Sequence, residues 1–170
     1  MDSRLPRILF GSLVLYAVVH FSFYYPRLPG VIASHFDARG VANGWQSKQA
    51  FFGVFAGVTA LFVILIFLLP WITTMIPPAF INLPNKAHWL SPERRVSTQR
   101  FLSAWSAWFG CAVFFVVVVA YDYAVKSNLP FVQSPSPEPL WYALGGLGVF
   151  TLAALVWIWI RFGRPPSVSR

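Results

Sequence analysis

The chain predicts an all-α membrane protein of four transmembrane helices. Both termini are expected in the cytoplasm, and a short folded loop is expected outside the membrane between the first two helices. Three observations predict this. Of 170 residues, 57% are hydrophobic and 11% charged, whereas soluble domains carry about 25% charged residues. Mean hydropathy is +0.62. Four apolar stretches are each long enough to cross roughly 30 Å of hydrocarbon as a helix.

The spans are placed at 8–25, 50–72, 101–123 and 140–160, within one domain covering 1–170. The first follows Arg4 and Arg7 as the apolar region of a signal peptide would. However, Tyr24, Tyr25 and Pro26 follow without a small-residue cleavage pattern, so it reads as an uncleaved span. Gly53 and Gly57 in the second span form a GxxxG. Ser103, Ala107 and Gly110 recur at i, i+4 and i+7 in the third, and Gly145, Gly146 and Gly148 cluster in the fourth. Small residues let helix backbones approach closely, so these positions are expected at helix contacts within the chain or, for Gly53 and Gly57, in a homodimer.

Orientation follows from the basic residues. Arg4, Arg7, Lys86, Arg94, Arg95, Arg100, Arg161, Arg164 and Arg170 fall on one side, against Arg27, Arg39, Lys48 and Lys126 on the other. The richer side is cytoplasmic, so the chain reads as a multi-pass membrane protein with both termini inside. Aromatic residues follow the same division. Tyr24, Tyr25, Trp45, Tyr121, Tyr123, Trp141 and Tyr142 would form an outer belt, and Trp71, Trp89, Trp105, Trp108, Trp157 and Trp159 an inner one. The net charge of +8 invites a nucleic-acid reading. The basic residues sit at span boundaries instead of gathering on one solvated face, which argues against it.

The loop at 26–48 is dense in Pro, Gly, His, Asp and Asn. Residues 31–36 suit a short extended segment. Asp37, Ala38, Arg39 and Gly40 read as one turn, and Asn43-Gly44 as a second. Ser47 can N-cap the second span near Lys48. Between spans two and three, Ser91, Pro92 and Glu93 look like the start of a helix, with Ser91 as cap. Arg94, Arg95 and Arg100 on its first turns would contact lipid headgroups or a cytoplasmic partner. The last loop, 133–139, alternates Pro with polar residues and reads as a semi-rigid spacer.

Candidate chemistry lies on the outer side. His20, His35, Asp37 and Asp122 are the ionisable groups able to converge there, with Asn43 and Trp45 beside them. Ionisable groups at membrane depth are costly and are usually paired or functional. Two imidazoles and a carboxylate, His20, His35 and Asp122, suit a borderline metal. A structural hydrogen-bond network and a proton-linked sensor use the same residues, and the network is the preferred reading, with no metal and no cofactor. The lone Cys111 forms no intramolecular disulfide and reads as a small buried hydrophobe. No phosphate loop, paired-His helix or nucleophile elbow occurs; Ser34 beside His35 is adjacency only. The chain therefore does not read as an enzyme.

Leu28-Pro29-Gly30-Val31-Ile32-Ala33-Ser34-His35-Phe36, then Gly40, then Asn43-Gly44-Trp45 with Ser47-Lys48, resembles the signature of a small bacterial membrane family of unknown function. That family's domain also forms the N-terminal part of SdpI-type toxin-immunity and signalling proteins. Asn82-Leu83-Pro84-Asn85-Lys86, Trp89-Leu90 and Pro92-Glu93-Arg94-Arg95 resemble a stretch of its stand-alone members. The second membrane unit of SdpI-type proteins has no counterpart here, so their immunity role does not carry over. The resemblance implies an outer loop that meets a ligand and basic cytoplasmic segments that hold a partner. The sequence therefore supports two functions. One is a non-enzymatic binding or sensing module with the His35 loop as recognition surface. The other is an accessory subunit of a larger respiratory or photosynthetic membrane complex. Expected partners are membrane lipids, and a protein partner or further copies of the chain.

Overall fold

The computed structural model describes residues 4–130 and 135–164. Four long helices are each apolar enough to cross a membrane. They are α1 (Arg4–Tyr24), α2 (Lys48–Met75), α4 (Arg95–Ser127) and α5 (Glu138–Gly163). Two short strands, β1 (Val31–Phe36) and β2 (Ala42–Ser47), join α1 to α2, and one helical turn, α3 (Lys86–Trp89), precedes α4.

The helix α4 is the centre of the bundle. It packs against α1, α2 and α5, whereas α1 and α2 meet each other mainly through the Phe21 and Phe55 rings, 4.8 Å apart. Its inward stripe explains this. Ala104, Ala107, Cys111, Phe114, Val118 and Val125 are all buried, at the three-to-four spacing of one helix face. Phe114 meets Phe10 of α1 at 5.1 Å between ring centroids, and Tyr121 meets Phe55 of α2 at 4.5 Å. The Cys111 thiol donates to the Pro6 carbonyl at 3.0 Å. At 33 residues α4 is longer than the roughly 20 needed to span, and its first turns bury the polar Thr98 and Gln99.

The small residues divide. A Cβ on Gly110 would crowd Ile66 Cδ1 at 3.0 Å, so glycine lets the Ile66 side chain lie close against α4 there. Ser103 and Ala107 are buried, as a helix contact requires, whereas five glycines make no close helix approach within the chain. Gly53, Gly57, Gly145, Gly146 and Gly148 have open space where a Cβ would stand, because those faces of α2 and α5 turn away from α4.

The entry to α4 differs from the sequence reading. Residues 91–94 form a turn in which the Ser91 carbonyl accepts from Arg94 N at 3.0 Å and Arg95 N at 2.9 Å, and the helix starts at Arg95. Tertiary bonds set this start. The Trp89 indole N–H donates to the Phe162 carbonyl at 3.0 Å, and the Thr98 hydroxyl donates to the Trp89 carbonyl at 2.8 Å. Asn85, at φ 52°, donates from Nδ2 to the carbonyls of Phe162 and Gly163, both at 3.0 Å. These are end carbonyls of α5, which have no partner within their own helix. Trp105 and Trp157 meet at 5.0 Å between α4 and α5 with their rings tilted by 42°, so those two rings pack on each other. Of the spacer, 133–134 lie outside the described residues. Ser136 then accepts from Glu138 N at 3.2 Å as α5 begins.

Candidate functional site

The loop after α1 folds as an antiparallel hairpin over one end of the bundle. Its register pairs Val31 with Ser47, Ile32 with Gln46, Ala33 with Trp45, His35 with Gly44 and Phe36 with Ala42. Ser34 is an extra residue on β1 and Asn43 an extra residue on β2. Asn43-Gly44 is thus a bulged part of β2, and the expected second turn is corrected. The long β1–β2 register carries the chain straight through it. Bulges re-aim side chains, and here the Nδ1–H of His35 donates to the Asn43 side-chain carbonyl.

The turn itself is built by Asp37. Its carboxylate accepts from Arg39 N and Val41 N, each at 2.9 Å, and its own carbonyl accepts from Gly40 N at 2.9 Å. The Val41 N–H, followed by the contacts with Arg39, holds the Asp37 carboxyl below its ordinary value of 3.8. Gly40 has φ +82°, and a Cβ there would stand 2.5 Å from Tyr123 Oη. Glycine meets both demands.

Three side chains fasten the hairpin to the helices. Asn128, just past α4, donates from Nδ2 to the Ala33 carbonyl and accepts from Ala33 N through Oδ1, both at 2.8 Å. The amide acts as a one-residue third strand on the edge of β1. The Tyr123 hydroxyl donates to the Gly40 carbonyl at 3.0 Å while its ring meets Phe36 at 5.1 Å. Lys48 donates to the carbonyls of Tyr25 at 3.2 Å and Leu28 at 3.1 Å. Ser47 caps α2 by accepting from Ala50 N at 3.2 Å. Ile32 is wholly buried beneath the sheet. Above it, Val31, His35, Asn43 and Trp45 are exposed, Trp45 to 62%.

The four candidate ionisable residues separate into three places. His20 Nε2 lies 2.6 Å from Asp122 Oδ1, and Lys126 donates to Asp122 Oδ2 at 2.8 Å. Tyr16 stacks on His20 at 5.1 Å and Tyr24 meets its edge at 4.9 Å. His35 stays with Asn43 and Asp37 with its turn. The metal set of His20, His35 and Asp122 is therefore not assembled. Among the described residues no three His, Cys, Asp or Glu side chains gather in a metal-holding group. The reason is directional: His20 points sideways from α1 to α4, and His35 points outward from the sheet.

Sequence reading missed Asn128 as an anchor and placed Tyr123 only in an aromatic belt. Asparagine at a helix end suggests a cap, and nothing in the chain announces its partner 95 residues away. At the opposite end, Arg94 donates to the His88 ring at 2.9 Å and Arg95 to the Ile76 carbonyl at 3.4 Å, while Arg100 is exposed.

Residues 12–59 match a family described as a domain of unknown function, DUF1648. The match covers the later part of α1, the whole hairpin and the first part of α2. No curated protein matches the chain, and no solved structure matches it.

Proposed function

We propose that this protein is a non-enzymatic binding or sensing module of a bacterial inner membrane, kin to the N-terminal domain of SdpI-type proteins. The hairpin end is its outer face and both termini are cytoplasmic. One observation carries the reading: the hairpin is tied down from behind by Asn128, Tyr123 and Lys48. Its exposed face, with His35, Asn43 and Trp45, is left unoccupied by the rest of the fold. A fixed aromatic ring with hydrogen-bonding neighbours is the usual anchor of a recognition surface, because little entropy is lost on binding. Arg100, with Arg94 and Arg95, then meets lipid headgroups or a partner on the cytoplasmic side.

The test is complementation. In a strain lacking the gene, Trp45→Ala and His35→Ala should fail to restore the wild-type phenotype, with membrane insertion and abundance unchanged. Full complementation by both would reduce the hairpin to a lid. A cysteine at position 39 should react from outside with a membrane-impermeant thiol reagent; labelling only after lysis would reverse the topology.

The accessory-subunit reading rests on α5. Of the long helices it packs chiefly on α4, and it exposes Leu152, Leu155, Val156 and Trp159 along one flank. Extraction in mild detergent separates the two. A particle of one to a few copies fits the module, and a large particle of fixed stoichiometry fits the subunit.

A further inference from the structure

We infer that the cleft between α1 and α2 is a phospholipid site selective for an anionic headgroup, distinct from the exposed face of the hairpin. The two helices pack mainly on α4 and meet each other through Phe21, whose ring lies 4.8 Å from Phe55 and 6.3 Å from Phe52. The space between them is a groove of about 710 Å³, bounded by Ala17 and Phe21 of α1 and by Phe52, Phe55, Ala60 and Ile64 of α2. Ligand clefts commonly run to about 300–1,000 Å³.

Length and charge identify the occupant. From Phe52 to Ile64 the groove runs roughly 18 Å along α2, at 1.5 Å per residue. One leaflet of hydrocarbon is about 15 Å, half of the roughly 30 Å core. The groove is therefore apolar for about the depth of one acyl chain. At its hairpin end it finishes at Tyr25, whose ring meets Phe52 at 4.9 Å. Lys48 Nζ stands 4.6 Å from the Tyr25 ring centroid and donates to two carbonyls, Tyr25 and Leu28. An ammonium has three donors, so one N–H is left for a phosphate oxygen at headgroup level. Of the residues lining the groove, none is charged, and Lys48 at its mouth is positive. That polarity matches a phospholipid tail and an anionic head. A docking helix fits less well, because the close-approach glycines Gly53 and Gly57 are not among the residues that line the groove.

The experiment titrates the delipidated full chain, in detergent, with phosphatidylglycerol or with phosphatidylcholine of the same acyl chains. Adducts are counted by native mass spectrometry. One phosphatidylglycerol should bind about fivefold more tightly than phosphatidylcholine, as one basic residue near a headgroup provides. Lys48→Arg should keep that preference and Lys48→Gln should lose it. Ala60→Phe, which fills the groove far from the hairpin, should remove the adduct of both lipids. Equal binding of the two lipids by the wild type would overturn the headgroup selectivity. An adduct that survives Ala60→Phe would overturn the groove as its seat. A wild-type dimer that binds no lipid and dissociates on Ala60→Phe would give the groove to a second copy.

Discussion

The two ends of the bundle use the same device and finish differently. At the hairpin end an asparagine amide binds the backbone of Ala33; at the other an asparagine amide binds the last carbonyls of α5. In both, a short polar side chain satisfies backbone groups that would otherwise be unpaired. At the far end several neighbouring groups are also engaged within the fold. Trp89 donates to Phe162, Arg94 to His88, and Arg161 lies over the Phe101 ring at 4.5 Å. At the hairpin end the anchors stand behind the sheet, and the front face keeps its aromatic and imidazole side chains exposed. The difference separates holding a fold from presenting a surface.

The comparison breaks most sharply at Asn128. Asn128→Ala strips both backbone partners from the buried Ala33, and each unsatisfied buried group costs about 1–3 kcal/mol. Thermal unfolding in detergent should shift down, and amide exchange should rise along β1 with the far end unchanged. Gly40→Ala comes next. The left-handed backbone costs about 1–2 kcal/mol for a side chain, and the new methyl would collide with Tyr123. Adding Tyr123→Phe should restore part of the lost stability by removing the hydroxyl it strikes. Asn85→Ala should cost about 1 kcal/mol for its two partly exposed bonds, with α5 fraying in hydrogen exchange and the hairpin intact. Asn85→Gly should recover the backbone part alone.

The smallest effect concerns pH. The folded Asp37 carboxyl lies below its ordinary 3.8. Its contribution is therefore complete above that ordinary value and is lost as pH falls through the lower folded value. Hairpin order, read by amide exchange at Val41, should be flat from neutral to mildly acidic solution and weaken at more acidic pH. Asp37→Asn should remove that dependence.

The four helices were legible because apolar length alone specifies them, and the hairpin was partly legible through Asp37, Gly40 and Ser47. The false turn at Asn43-Gly44 has a clear cause. That pair favours turns when its neighbours leave it free, and here pairing on both flanks draws it into the strand. Reading Gly53 and Gly57 as helix contacts within the chain failed because spacing gives a face but not its orientation. Ser91 had the chemistry of a cap, but Trp89 and Thr98 control the chain there. The convergence of His20 with Asp122 and their separation from His35 depend on helix rotation and strand facing, which no local pattern records. The role of Asn128 is wholly tertiary.

The two extra residues of the hairpin oppose each other. Ser34 shifts the pairing by one and Asn43 shifts it back, so Phe36 meets Ala42 in the register that Val31 and Ser47 began. Loss of either residue alone would leave the strands out of step, and a one-step slip reverses which side chains face in. Loss of both would restore the alignment but take away Asn43, the hydrogen-bond partner of His35. Insertions and deletions in this segment are therefore tolerated only in compensating pairs, and its length in descendants of this gene should change by none or by two.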